Sequence, residues 1–199
     1  MDIRDYAKKT YTFLLKDDSL LATLSFVGVS LLFIWFIFFP FLTLITGTEL
    51  PIVVVISESM VHTDSWEEQV ARCETGICTQ REYYEERSMW TSFSSYPLRN
   101  GLNRGDIILS VHTSNLEVGD VVIFNSEQSP YPIIHRIVDE NNGTYTTKGD
   151  NNAAPNPSIG ETSLTSKDII ANAKIRIPYI GYVKLVTVDT LLYIRGLVS

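Results

Sequence analysis

Charge stops abruptly along this chain. Residues 1–18 mix both signs, with Arg4, Lys8, Lys9 and Lys16 against Asp2, Asp5, Asp17 and Asp18, and then no charged residue occurs from Ser19 to Thr48. Leu20 to Phe39 is apolar for about the 20 residues needed to cross a hydrocarbon core, too long for an ordinary buried helix. Trp35 and the Phe-rich end before Pro40 suit an aromatic belt at one interface. The Phe38-Phe39-Pro40-Phe41 run lacks the small-residue pattern at which a leader is removed, so the stretch predicts an uncleaved anchor over 19–47. A second span starting at Pro40 is too short. In 1–18, the spacing of Ile3, Tyr6, Tyr11, Phe13, Leu14 and Leu15 suits a short interfacial helix.

The pattern then changes from helical to period two. Pro51 to Ile56 contains five successive β-branched residues and reads as a buried strand that halts at Ser57-Glu58-Ser59-Met60. Strands resume at Asp106–Val111, Val121–Phe124, Ile133–Val138 and Thr144–Lys148, with Gly105-Asp106 and Gly119-Asp120 as turn signals, and a last strand falls near Ala171–Ile177. Short strands at this spacing predict a mainly β chain: an antiparallel β domain over 48–182 behind the N-terminal transmembrane helix. Residues 61–103 interrupt the strand pattern and read as a polar insertion, with helical patches near Trp66–Val70 and Tyr83–Met89. Residues 183–199 are apolar but broken by Lys184, Asp189 and Arg195, which predicts an amphipathic segment on the membrane or on a partner.

Charge adds topology. Four Lys and Arg precede the span and the next follows only at Arg72, so the positive-inside rule places 1–18 in the cytoplasm and 48–182 outside it. A formal net charge of −7 speaks against a nucleic-acid partner, and 45% apolar content is ample for a core. Outside the cytoplasm, Cys73 and Cys78 point to a small-loop disulfide, with free thiols or half a metal site as the alternatives.

The candidate chemistry is nucleophilic. Serines at the mouth of a strand become reactive when a base lies within hydrogen-bond reach, and His62, His112 and His135 are the candidates. His135 has the better argument. It precedes Asn142-Gly143, the strongest two-residue hairpin signal, and with that turn the numbers of facing residues add to 285, so His135 faces Asp150. A one-residue slip would undo that pairing.

In this order the boxes Ser57-Glu58-Ser59-Met60, Arg104-Gly105-Asp106-Ile107-Ile108, Gly119-Asp120-Val121-Val122-Ile123-Phe124, His135-Arg136-Ile137 and Thr147-Lys148-Gly149-Asp150-Asn151-Asn152 stand behind a membrane anchor. Together they resemble type I signal peptidase, in the archaeal and endoplasmic-reticulum branch that uses histidine as base. The resemblance covers roughly residues 19–60 and 104–183. It implies Ser59 as nucleophile, His135 as general base and Asp150 as the supporting acid. It also implies that the Ser57 hydroxyl assists an oxyanion hole with the Ser59 N–H. Substrates would be signal-peptide-bearing preproteins cut after small residues, with no metal or cofactor. The substrate would lie as an added strand beside Val53–Ile56, with Val53 and Val55 among its contacts. The expected location is the cell or endoplasmic-reticulum membrane, with other membrane subunits as further partners. Three departures stand out: Glu58 replaces the family's usual glycine, Val61-His62-Thr63 lacks its proline, and Asn156 stands where the family tends to carry a second aspartate. They keep a catalytically inactive subunit of such a complex as the alternative. A self-cleaving repressor-type peptidase lacks support, since that family uses lysine as base. Should Asp150 not serve His135, then Glu58, Asp168 or another carboxylate would.

Overall fold

The computed structural model describes residues 2–178, so the amphipathic segment expected over 183–199 lies outside the described residues. The chain divides into two units, one ending at Ile45 and one beginning at Thr46.

In the first unit, α1 (Ile3–Lys16) is capped by Asp2 and buries none of its residues. A single apolar helix, Leu20–Thr46, follows after Ser19 caps its start, and it is long and apolar enough to cross a membrane. It is built as α2 (Leu20–Phe33), a π-turn over Ile34–Phe38 and α3 (Phe39–Thr46). The π-turn has a local cause. Pro40 has no N–H and its ring crowds the carbonyl one turn back, so the helix widens just before it and the Phe39 N–H reaches Ile34 O.

The second unit is mainly antiparallel β. Its large sheet has seven strands in the order β1 (Ile52–Val54), β4 (Ile107–Val111), β9 (Ile169–Ile177), β5 (Val121–Phe124), β6 (Ile133–Asn141), β7 (Thr144–Lys148), β8 (Leu164–Thr165). Alternation decides its faces: along β4 the side chains of Ile108 and Ser110 go in while Ile107, Leu109 and Val111 are half-exposed. β1 is shorter than its β-branched run predicts, because ladder pairing to β4 ends at Val54 and the chain continues as a paired loop, with Val55 N–H on Asp106 O and Gly105 N–H on Val55 O. Val55, Met60, Leu102, Ile108, Val121 and Ala173 form the core beneath that exit.

The β6–β7 hairpin turns at Asn142-Gly143, both with positive φ (50° and 77°), as a two-residue turn of this kind demands. Next to the turn, facing pairs add to 285: Asn141 with Thr144, Glu140 with Tyr145, Asp139 with Thr146. A bulge between Ile137 and Asp139 then shifts the register, and Ile137 faces Thr147 and Arg136 faces Lys148. The extra residue, Val138, is buried against Trp66, Tyr83, Tyr84, Met89 and Phe93.

Those five residues come from 61–103. That stretch holds a 3₁₀ turn at Trp66–Glu68, the hairpin β2 (Val70–Cys73) and β3 (Gly76–Thr79), α4 (Gln80–Glu86) and α5 (Trp90–Phe93). A capping box fixes the start of α4, with Thr79 and Glu82 satisfying each other's backbone donors. Cys73 and Cys78 form a disulfide across the hairpin.

Candidate active site

The nucleophile candidate sits where β1 runs out. Four residues past Val55, Ser59 is half-buried above the buried Met60, and its Oγ lies 3.1 Å from Ser57 Oγ. Its backbone is gripped from one side. The Asn151 N–H donates to Ser59 O (2.7 Å), and the Asn151 side-chain amide donates to Glu58 O (3.1 Å). Among the described residues no acceptor takes the Ser59 N–H, so it is available to a ligand oxygen.

His135 comes from β6. Its Nε2 is 2.9 Å from Ser59 Oγ, and the residue is buried. Its Nδ1 makes a very short contact with Glu161 Oε1. A carboxylate at that nitrogen can only accept, and the tautomer that suits it has the proton on Nδ1 and leaves Nε2 to accept from the serine hydroxyl. Glu161 is fully buried, and its other oxygen takes the Asn156 N–H at 2.6 Å. It is held there by the short 3₁₀ turn Pro157–Ile159, closed by Gly160 at φ +86°, and by the Thr147 N–H donating to Glu161 O.

Asp150 is elsewhere. The bulge at Val138 moves the register by one, so position 149, not 150, lies across from His135. The expected His135–Asp150 pair is therefore not formed. Asp150 instead meets Arg136 through Nε (2.9 Å) and Nη2 (2.7 Å), Tyr84 OH (2.8 Å) and His62 Nε2 (2.9 Å), so both its oxygens are fully engaged. Burial works against this carboxylate, but the Arg136 charge and the His62 hydrogen bond outweigh it and hold the carboxyl well below the usual range. Burial, with the Asp150 charge beside it, holds the Tyr84 phenol well above the tyrosine range, so Tyr84 remains a donor.

Gly149 occupies the position facing His135 because nothing larger fits. A Cβ there would lie 2.7 Å from Ser59 O and 2.9 Å from His135 Nε2. The loop that carries Gly149 is clamped by 61–103. Arg72 N–H donates to Ala153 O (2.9 Å), Gln80 Nε2 to Asn152 O (2.9 Å) and Trp66 Nε1 to Asp150 O (2.8 Å). The buried Lys148 ammonium donates to Gln80 Oε1 (2.8 Å) and to Gly149 and Asp150 carbonyls, and burial pushes it down to about 7.

A groove of about 260 Å³ runs to the serine, lined by Val54, Val55 and Ile56 on one wall and Tyr131–His135 on the other. Val53 is not among its lining residues. The larger cleft, about 560 Å³, lies within the insertion between 62–67 and 90–100 and does not include Ser59. His112 is not in either, Asp168 caps the β8–β9 turn through Thr165, and Glu58 is exposed in the strand-exit turn.

No family model matches the chain. Individual proteins do. It is 36% identical over 92 residues to the signal peptidase complex catalytic subunit SEC11 of Verticillium alfalfae, covering 41% of this chain and 54% of that protein. The identity to the Chaetomium globosum SEC11 is 35% over the same length, with the same coverage. For the human catalytic subunit SEC11C it is 30% over 97 residues, covering 44% of this chain and 50% of the human protein. Over that stretch the chain is similar to signal peptidase catalytic subunits. It spans about half the length of these relatives.

At the position where the signal peptidase pattern leads to an expected second aspartate, Asn156 supports a turn. Asn156 uses its side chain to cap the 3₁₀ turn at Ser158 N–H (3.0 Å), and its backbone feeds the Glu161 carboxylate that meets His135. Sequence reasoning missed Glu161. The only local signal is Pro157 followed by Gly160 in the positive-φ region, which brings residue 161 back beside 156. His62 and Tyr84, which lie outside the signal peptidase boxes, were likewise missed as partners of Asp150.

Proposed function

We propose that the chain is a membrane-anchored serine endopeptidase that removes signal peptides from preproteins. One observation carries the reading: His135 Nε2 stands 2.9 Å from Ser59 Oγ while a buried carboxylate, Glu161, holds the other ring nitrogen. In the reaction His135 takes the Ser59 proton as Oγ attacks the scissile carbonyl. Glu161 keeps the ring in the accepting tautomer and stabilises the imidazolium as it forms. The Ser59 N–H and the Ser57 hydroxyl stabilise the oxyanion, an effect worth about 3 kcal/mol per donor in serine proteases. His135 then protonates the leaving amine, and water, deprotonated by the same ring, hydrolyses the acyl-enzyme.

In this reading Asp150 is a positioning residue. With Arg136, Tyr84 and His62 it fixes the 149–151 loop, which holds Ser59 and Glu58 by their backbones. The substrate lies extended in the groove beside Val54–Ile56. The anchor is Leu20–Thr46, with 1–18 in the cytoplasm and the peptidase unit on the far side.

The test is cleavage of a preprotein carrying an Ala-x-Ala site, by the detergent-purified chain and by the chain in membranes that contain partner subunits. The wild type cuts at that site and Ser59→Ala does not. Absence of cutting in both settings would refute the reading and leave the inactive-subunit alternative.

A further inference from the structure

The first unit contains a surface that the peptidase chemistry does not use. Helix α1 is 14 residues long and buries none of them, with Ile3 85% and Tyr6 63% exposed. At 3.6 residues per turn most of its positions fall on two faces. Ile3, Tyr6, Ala7, Thr10, Phe13 and Leu14 share one face, Asp5, Lys8, Lys9, Thr12 and Lys16 lie across from it, and Arg4, Tyr11 and Leu15 fill the flank between Ala7 and Lys8. Both threonines tie their hydroxyls back along the helix, Thr10 to Tyr6 O (3.1 Å) and Thr12 to Lys8 O (2.9 Å), so Thr10 adds its methyl to the apolar face without an unsatisfied donor.

Two observations say what covers that face. Only Asp17, Asp18 and Ser19 separate Lys16 from Leu20, so the end of α1 lies within about 14 Å of the start of the span. A helix tethered that closely to a bilayer-crossing segment lies in or next to the interface. The charge is placed rather than in excess: Asp2, Asp17 and Asp18 at the helix ends bring residues 2–18 to formal balance, but along the helix itself Lys8, Lys9 and Lys16 line the polar face, where ammonium groups meet anionic headgroups. Tyr6 and Tyr11 carry the ring-plus-hydroxyl chemistry that partitions to that depth.

We infer that α1 is an in-plane membrane helix that sinks its Tyr6–Thr10–Phe13 face among the acyl chains and sets Lys8, Lys9 and Lys16 against anionic phosphates. This rests on Leu20–Thr46 spanning the bilayer, and on nothing in the peptidase unit. The helix fixes the depth at which the span enters, because its apolar face and the apolar span must satisfy the same interface.

The experiment uses the full-length chain in lipid nanodiscs, with single nitroxides at positions 6, 10 and 13, at 5, 9 and 12, and at 31 within the span. Accessibility to oxygen, which concentrates in lipid, is compared with that to a water-soluble nickel chelate. The expected oxygen-to-nickel ratio is several-fold higher at 6, 10 and 13 than at 5, 9 and 12. The contrast should be stronger with anionic than with zwitterionic lipid, and weakened by the triple Lys8→Gln, Lys9→Gln, Lys16→Gln variant. Equal, high nickel access at all six helix positions, with 31 still in lipid, would overturn the proposal. Shielding of 6, 10 and 13 from both reagents would overturn it too, by showing a protein on that face. A nickel-accessible position 31 would instead overturn the span itself.

Discussion

Glu161→Gln separates the roles of the two buried acids. Glutamine has nearly the same volume, so the fully buried site stays packed. Its amide nitrogen must face one of two neighbours. Toward the Asn156 N–H, now 2.6 Å from a carboxylate oxygen, it opposes two donors. Toward His135 Nδ1 it donates, and the ring proton moves to Nε2, which then cannot accept from Ser59. Enforcing the wrong tautomer lowers turnover by about 10⁴ in serine-protease triads, which is about 5.4 kcal/mol at 1.36 kcal/mol per decade. Asp150→Asn acts differently. It leaves the buried Arg136 without its counter-charge, a loss of about 3–5 kcal/mol in stability. At about 2–4 °C per kcal/mol for a unit of this size, the melting point falls by roughly 10 °C. The assay pairs single-turnover cleavage of a preprotein with thermal melts. The expected result is a large rate loss at an almost unchanged melting point for Glu161→Gln, and a large melting-point loss for Asp150→Asn. A Glu161→Gln variant within tenfold of wild type, beside a stable Asp150→Asn variant that is inactive, would refute the reasoning.

Lys148 gives a pH dependence. Burial pushes its ammonium down to about 7 in the fold, while the unfolded chain keeps it charged to about 10.4. Across that window the unfolded state holds the extra proton, so stability should rise with pH, by up to about 1.4 kcal/mol per unit. Urea midpoints from pH 6.5 to 10 should show this slope in wild type and a flatter one in Lys148→Met. Replacing Cys73 and Cys78 with alanine opens a six-residue ring and should cost about 2 kcal/mol of stability. Cleavage should be retained, because Trp66, Gln80 and Tyr84 still reach the 149–153 loop, and melts with activity assays check both. Gly149→Ala would put a Cβ 2.7 Å from Ser59 O and 2.9 Å from His135 Nε2. Displacing the pair by about 1 Å should reduce kcat about 10²-fold with little change in KM, which steady-state kinetics read directly.

The sheet was legible because its signals are local. Gly105 and Gly119 punctuate strands, β-branched runs fill them, and Asn142-Gly143 closes the hairpin as the residue types require. The span was legible for the same reason. The acid partner was not, because it depends on one residue of register: Val138 leaves the ladder to fill the aromatic cluster, and no pattern in β6 announces that exchange. Glu161 reaches His135 only after a turn whose closure depends on Asn156 and Gly160 acting together. The insertion read as polar since its apolar side chains are scattered. Only in three dimensions do Trp66, Tyr83, Tyr84, Met89 and Phe93 converge, with Trp66 and Tyr84 reaching Asp150.

The proposed chemistry requires Ser59 to be the attacking group. A serine-reactive acyl probe, applied to wild-type protein and to His135→Ala and followed by mass-spectrometric mapping, tests that directly. The expected result is one adduct per chain, on Ser59, and its loss in His135→Ala. Labelling of Ser57 instead, or preprotein cleavage that continues in Ser59→Ala, would contradict it.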